Sequence, residues 1–119
     1  MQRFTELRVW RRSHAMVLEI YEVTDEFPYE ERFGLVSQLR RAAVSVPCNI
    51  AEGSKRIRPA DYARFLNMAE SSAAEIQYLV ILSRDLSFLS NDRAAILLAR
   101  IQVIARMLHQ LRARVVKES

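Results

Sequence analysis

Apart from its fourteen Asp and Glu residues, this 119-residue chain has only three side chains of the types that most often ligate a metal or act as a base or nucleophile. They are two histidines, His14 and His109, and one cysteine, Cys48. A di-iron centre in a helical bundle requires Glu-x-x-His pairs, and neither histidine has a glutamate three residues before it. A single cysteine cannot form an internal disulfide. We therefore expect no catalytic residue, no metal site and no cofactor, and we interpret the protein as a non-enzyme.

The same side chains have structural interpretations. His14 falls on an apolar helical stripe, which predicts a packed imidazole in the core, whereas His109 falls on a polar side and is predicted to be solvated. Cys48 is predicted to be a small buried hydrophobe, the usual role of a free cysteine. The glutamates within residues 19–26 form an acidic ridge, which is more typical of a solvated helix face than of a general acid.

The cationic side chains are more informative. Sixteen of the eighteen are arginine, the net charge is +4 and the isoelectric point is about 9.7. A planar guanidinium donates two parallel hydrogen bonds to a phosphate or a carboxylate, which makes arginine suited to binding either group. A GC-rich genome would produce the same bias without any functional role, so composition leaves both explanations open.

The candidate cations fall into four groups: the start of the first predicted helix, the middle of the second, the loop after it, and the length of the fourth. In that order they are Arg8, Arg11 and Arg12; Arg40 and Arg41; Lys55, Arg56 and Arg58; and Arg93, Arg100, Arg106, Arg112, Arg114 and Lys117. No acidic residue occurs from 93 to 117, which is the strongest charge asymmetry in the chain. These groups predict an electrostatic footprint for a nucleic-acid backbone. The alternative is that they pair with the acids of the first helix or of another subunit.

Helical periodicity explains almost the whole chain, whereas two glycines and three prolines are too few for a sandwich of many turns. The predicted helices span about residues 5–26, 31–54, 59–86 and 92–117. Short loops between long helices predict one all-α domain over residues 1–119, an antiparallel up-down-up-down four-helix bundle. Thr5 is the predicted N-cap of the first helix, and Ser90 or Asn91 that of the fourth.

The second predicted helix contains a local ambiguity. Residues 44–50 also alternate with period two, so a short strand is an alternative there, although a lone strand would have no partner. Pro47 would lie inside the helix, which predicts a kink. Glu52 and Arg56 have the spacing of an i,i+4 ion pair.

Apolar residues cover more than half the circumference of the first and fourth predicted helices. A monomer with both surfaces exposed would carry a contiguous apolar patch, which soluble monomers rarely do. This pattern predicts a homo-oligomer with those helices at the interface. The alternative is that the apolar flanks pack within a single bundle.

The N-terminal residues contain no uninterrupted apolar stretch of the kind found in secretory signals. The longest apolar runs, Tyr78–Leu82 and Ala94–Ala99, are too short to span a bilayer. We therefore expect a cytoplasmic protein with no membrane partner, and a lone cysteine agrees with a reducing compartment.

Several stretches resemble a known family. They are residues 7–11 (LRVWR), Phe27-Pro28, residues 33–47 (FGLVSQLRRAAVSVP) and residues 49–53 (NIAEG). The chain resembles the bacterial four-helix-bundle proteins encoded in intervening sequences of 23S rRNA genes. This resemblance implies a ring, reported in the family as a pentamer, without catalytic residues. More distantly, the shape is similar to accessory variability proteins of diversity-generating retroelements, which bind nucleic acid.

These observations favour an oligomeric accessory protein that binds RNA or DNA through its arginines by backbone electrostatics. Few exposed aromatic residues are expected, so sequence-specific base stacking is not predicted. Reversing the charges of Arg100, Arg106 and Arg114 is predicted to abolish binding. The alternative is an adaptor ring that contacts one protein partner and has no nucleic-acid role. A cationic helix at a membrane surface is the least favoured hypothesis, because the fourth helix lacks Trp and Phe.

Overall fold

A computed structural model describes residues 3–118. Its elements are, in chain order, a 3-10 turn (Phe4–Glu6), α1 (Arg8–Thr24), a second 3-10 turn (Tyr29–Glu31), α2 (Leu35–Ser54), α3 (Pro59–Asp85) and α4 (Asn91–Lys117). Within residues 3–118 there is no β-strand, so the prediction of an all-α fold with four helices is confirmed. Residues 44–50 are helical, which excludes the local strand alternative.

The first two helices begin later than the sequence predicts. The prediction that Thr5 caps the first helix is wrong, because residues 4–6 form a 3-10 turn and Leu7 adopts an extended backbone before α1. The second helix begins at Leu35 rather than near residue 31, since another 3-10 turn comes first. There the Glu31 carboxylate accepts a hydrogen bond from the Leu35 amide at 3.3 Å, which satisfies one of the free amides at the helix start.

Pro47 lies inside α2, which is helical on both sides of it. The kink expected at this position stays a prediction. Two residues later, Asn49 is buried and its Nδ2 donates to the carbonyl (2.8 Å) and hydroxyl (3.0 Å) oxygens of Ser45. The Ser45 hydroxyl in turn forms a hydrogen bond with the Ser72 hydroxyl at 2.8 Å. This polar network joins α2 to α3 without leaving the buried amide unpaired.

α2 and α3 approach each other closely and run in opposite directions. Ser45 meets Ser72, whereas Gly53, later on α2, meets Tyr62 and Phe65, earlier on α3. A Cβ atom built on Gly53 would lie 2.8 Å from Phe65 Cβ and 3.0 Å from Tyr62 Cδ1. The absent side chain of Gly53 therefore sets how closely the two helices pack.

Two ion pairs show that α1 and α4 also run in opposite directions. Arg93, at the start of α4, lies 3.9 Å from a carboxylate oxygen of Glu26, just beyond the end of α1. Arg100, further along α4, pairs with Glu19, which is earlier on α1. The start of α1 is consequently near the end of α4.

The bundle core buries one apolar stripe from each helix. Its largest fully buried apolar side chains are Met16, Ile20, Leu39, Ile50, Leu66, Ile76, Ile101, Ile104 and Leu108. The prediction that His14 is a core imidazole is wrong, because α1 packs its other stripe inward and leaves His14 and Leu18 exposed. The prediction that Cys48 is buried is also wrong, since this residue lies on the exposed side of α2.

α4 begins as the sequence predicts. The Ser90 hydroxyl accepts a hydrogen bond from the Arg93 amide at 3.1 Å, the usual geometry of an N-cap. By length and composition alone, α4 is apolar enough to cross a bilayer, a property it shares with core helices of soluble proteins. In this bundle α4 buries its central apolar stripe, made of Leu97, Ile101, Ile104, Leu108 and Leu111.

The packing of Tyr62 predicts a specific alkaline instability. Burial raises the pKa of the Tyr62 hydroxyl above its ordinary value of 10.0, and the positive charge of Arg114 opposes this shift. A raised folded-state pKa means that the unfolded chain loses this proton first, so the contribution of Tyr62 to stability is constant below about pH 10 and is lost as the pH rises further. Tyr62→Phe should reduce the loss of unfolding free energy between about pH 9.5 and 11, measured by urea denaturation. Tyr78→Phe, which changes an exposed tyrosine, should keep the wild-type dependence and serves as the control.

Candidate nucleic-acid interface

The cations of α4 do not form one surface. Arg93 and Arg100 pair with acids of α1, as described above. Arg112 instead forms a charged hydrogen bond with Glu70 of α3, and this contact raises the pKa of the Arg112 guanidinium. Three of the six α4 cations are therefore engaged within the chain and turned towards two different neighbours. Arg93, Arg100 and Arg112 thus follow the alternative interpretation, in which the cations pair with acidic residues.

Arg40 is also held in place by the fold. Its guanidinium lies 4.4 Å from the centroid of the Tyr21 ring, donates to the Thr24 hydroxyl at 3.0 Å and lies 3.7 Å from an Asp25 carboxylate oxygen. These contacts join α2 to the end of α1. The neighbouring Arg41 is exposed and forms no ion pair within residues 3–118.

Opposite helix directions bring three separate segments together at one end of the bundle. These are residues 3–12, 52–64 and 106–118, which we call the basic end. The Lys55 ammonium lies 6.0 Å from the centroid of the Phe4 ring, which joins the first two segments. A groove lined by Leu7, Arg8, Leu111 and Arg114 joins the first to the third.

The basic end has a large excess of positive charge. Its three segments contain twelve cationic side chains and four carboxylates, and a fifth carboxylate, that of Glu70 on α3, contacts Arg112. The cations are Arg3, Arg8, Arg11, Arg12, Lys55, Arg56, Arg58, Arg64, Arg106, Arg112, Arg114 and Lys117, and the acids are Glu6, Asp61, Glu52 and Glu118. Two of the acids form exposed pairs, Glu6 with Arg3 at 3.2 Å and Asp61 with Arg58 at 3.3 Å. Exposed pairs of this kind contribute little to stability and do not cancel the field of the other cations.

The opposite end of the bundle is acidic. Phe27 and Phe88 contact each other there, with ring centroids 5.8 Å apart. The segments on either side, residues 19–40 and 84–93, carry eight carboxylates and four cations. The molecule is 46 Å in its longest dimension, whereas charges are screened over about 8 Å at physiological ionic strength. The two ends therefore present independent fields of opposite sign.

Several cations of the basic end are free to meet a ligand. Within residues 3–118, no ion pair is formed by Arg8, Arg12, Arg106, Arg114 or Lys117, and all five are exposed. The predicted Glu52–Arg56 pair is not formed in this part of the chain. Instead, Arg56 and Arg64 both lie over the Phe65 ring, 4.6 and 4.9 Å from its centroid. Ring contact orients these two guanidinium groups without neutralising them.

The basic end differs from the candidate set that the sequence suggests. Arg3 and Arg64 belong to it but lie outside the four groups, whereas Arg40, Arg41, Arg93 and Arg100 lie elsewhere. Counting charges by helix end, after assuming an antiparallel bundle, would have found both additional arginines. Within residues 3–118, no three His, Cys, Asp or Glu side chains are placed to hold a metal ion.

Fold and charge together define the class: a small four-helix protein with a strongly basic end. The model of the 23S rRNA-intervening sequence protein family matches residues 5–110, and the chain belongs to this family. A crystal structure of a protein of unknown function from the S23 ribosomal protein family of Bacteroides thetaiotaomicron is similar, with a TM-score of 0.78 and 21% identity. The similarity covers 87% of this chain and 96% of the other, and shows the shared fold. No curated protein matches the chain.

Proposed function

We propose that the protein is a non-catalytic accessory protein that binds RNA or DNA by holding the phosphate backbone at its basic end. The observation that carries this proposal is the convergence of twelve cations at one end of the bundle, against four carboxylates in the same segments and a fifth, that of Glu70, paired with Arg112. Lysine and arginine that neutralise phosphates release condensed counterions, which supplies affinity without regard to sequence. The separation of this end from the acidic end would also orient the protein on its ligand.

The size of the basic end sets the scale of the expected binding. The bundle is 23 by 20 Å in cross-section. A duplex carries one phosphate charge per roughly 1.7 Å of its axis, so roughly a dozen phosphate charges would lie across this face. Only those facing the protein can be contacted, which suggests about five contacts. The protein would then bind nucleic acid with moderate affinity, and that affinity would fall as the salt concentration rises.

The test is a salt titration. Fluorescence anisotropy with a labelled duplex should give a slope of about −4.5 for log K against log salt, or an affinity loss on the order of 500-fold between 50 and 200 mM. Light scattering on the same samples reports the mass of the protein. Absence of binding at 50 mM salt, or binding that does not respond to salt, would contradict the proposal.

Self-association is the second part of the proposal. Leu18 on α1 is 59% exposed and Ile96 on α4 is 48% exposed, and Ile96 lines the groove between the two helices with Glu22 and Val23. We expect copies of the chain to bury these side chains, and the family resemblance suggests a pentamer. Light scattering should therefore give a multiple of 13.8 kDa. We expect this assembly to act in the cytoplasm and without a membrane.

A protein–protein adaptor is the second candidate function, and a different surface favours it. Tyr29 and Phe33 are 71% and 83% exposed, and the Arg32 guanidinium lies 3.6 and 4.6 Å from their ring centroids. Exposed aromatic rings with arginine are typical of protein interfaces. Under this hypothesis, a pull-down after nuclease treatment recovers one protein partner, and Phe33→Ala loses it. Loss of every captured protein on nuclease treatment would argue against an adaptor.

A further inference from the structure

Three aromatic rings contact one another in series, beginning in the basic end and continuing to His14 just beyond it. The ring centroids of Phe4 and Trp10 are 5.2 Å apart with an edge-to-face angle of 69°. Trp10 and His14 follow at 5.3 Å, with ring planes only 7° from parallel. His14 is exposed, so it ends the stack towards solvent. We call Phe4, Trp10 and His14 the aromatic stack.

Cations flank the aromatic stack. Arg11 precedes His14 by three residues, which places the two side chains on the same face of α1. Arg11 is exposed, and its Nε donates to the Thr5 carbonyl at 2.9 Å, which leaves the terminal nitrogens of the guanidinium. On the other side, the Lys55 ammonium lies 6.0 Å from the Phe4 ring centroid. A flat ring surface and phosphate-binding groups are thus adjacent.

We propose that the aromatic stack binds an unpaired base of a single-stranded nucleic acid, with His14 stacking on the base and Arg11 holding a flanking phosphate, while Lys55, at the Phe4 end, meets a phosphate further along the strand. This inference rests on the proposed function and specifies single-stranded nucleic acid as the class of ligand. A base inside a duplex is already stacked and paired, so only a single strand can present a face to a protein ring. Stacking of this kind tolerates any sequence, because every base has a flat face.

The sequence did not indicate this exposed ring, because it places His14 on an apolar stripe, whereas the fold buries the other stripe of α1. The expectation that sequence-specific stacking is absent stays a prediction, since the proposed contact tolerates any base. Tyr29 and Phe33 are more exposed still, but they lie at the acidic end beside Glu30 and Glu31. A phosphate there would meet carboxylates, so the basic end is the better site for a nucleic acid.

The experiment uses Trp10, which is the only tryptophan of the chain. Its emission should change when a single-stranded RNA of about 12 nucleotides is added at 50 mM salt, and His14→Ala should abolish that change while leaving any smaller response to a duplex of equal length unaltered. His14→Ala should weaken binding of the single strand by about tenfold and leave duplex binding within about twofold. His14→Phe keeps a flat ring and should restore single-strand binding. Tyr78→Ala removes an exposed ring outside the basic end and should bind both RNAs as the wild type does.

The outcomes separate the two proposals. If His14→Ala binds the single strand as tightly as the wild type and Trp10 emission does not respond, the aromatic stack is not a base site. Salt-dependent anisotropy with both RNAs would then still support the proposed function. If neither RNA binds at 50 mM salt, the proposed function fails, and the base site fails with it.

Discussion

Replacing Arg8, Arg12 and Arg114 with glutamate is expected to lower the affinity for duplex RNA or DNA by at least about 100-fold at 50 mM salt. All three are exposed at the basic end and form no ion pair within residues 3–118, so no internal carboxylate competes with a phosphate for them. The substitutions remove three phosphate contacts and add three repulsive charges to the same face. Anisotropy measures the loss, and the slope of log K against log salt should become shallower by about three.

A charge-matched variant is the control for this experiment. Reversing Arg32, Arg41 and Arg84 changes the net charge by the same amount, at positions outside the basic end, and the one ion pair affected joins Arg84 to the adjacent, exposed Asp85 rather than to another helix. This variant should bind within a few-fold of the wild type, and circular dichroism should show that both variants remain helical. If the control loses as much affinity as the basic-end variant, binding depends on net charge alone and the basic end is not the site.

The arginines of α4 differ in their ion pairing, so reversing their charges does not test the same contact at each position. Reversal of Arg100, Arg106 and Arg114 mixes cations with different environments. Arg100 pairs with Glu19, so its reversal would place two carboxylates together and destabilise the contact between α4 and α1. A loss of binding in that variant would not identify a ligand contact.

Gly53→Ala is expected to lower the unfolding free energy by about 2 kcal/mol, despite the better helix propensity of alanine. Propensity alone would stabilise α2 by up to about 1 kcal/mol. The new Cβ, however, would lie 2.8 Å from Phe65 Cβ, and a Cβ cannot rotate away from a clash. α2 and α3 must therefore separate, at a cost that exceeds the gain.

Side chains of increasing size at position 53 test this prediction. Urea denaturation should show a larger loss for Gly53→Val than for Gly53→Ala, because the added methyl groups also meet the Tyr62 ring. The melting temperature should fall by roughly 8 °C in the alanine variant. If Gly53→Ala is as stable as the wild type or more stable, the close approach of the two helices is not what Gly53 provides. Since Lys55 and Arg64 flank this contact, its loss should also weaken nucleic-acid binding.

The four helices could be predicted from the sequence because burial of one side of a helix imposes a period of 3.6 residues on the apolar positions. The starts of α1 and α2 could not. They depend on 3-10 turns and on a local hydrogen bond from Leu35 to Glu31, which leave no periodic signal. The exposure of His14 could not be predicted either, since α1 has two apolar stripes and only packing against α2 and α4 selects the one that faces inward.

The sequence by itself determined the all-α class, the family, the number of helices and the groups of cations along the chain. Only the tertiary structure decided which cations are paired, because an ion pair such as Arg112–Glu70 joins residues 42 positions apart and depends on how two helices are aligned. It also decided that residues 3–12, 52–64 and 106–118 share one end. Charges so distant in sequence act as one field only after packing has placed their helices side by side in opposite directions.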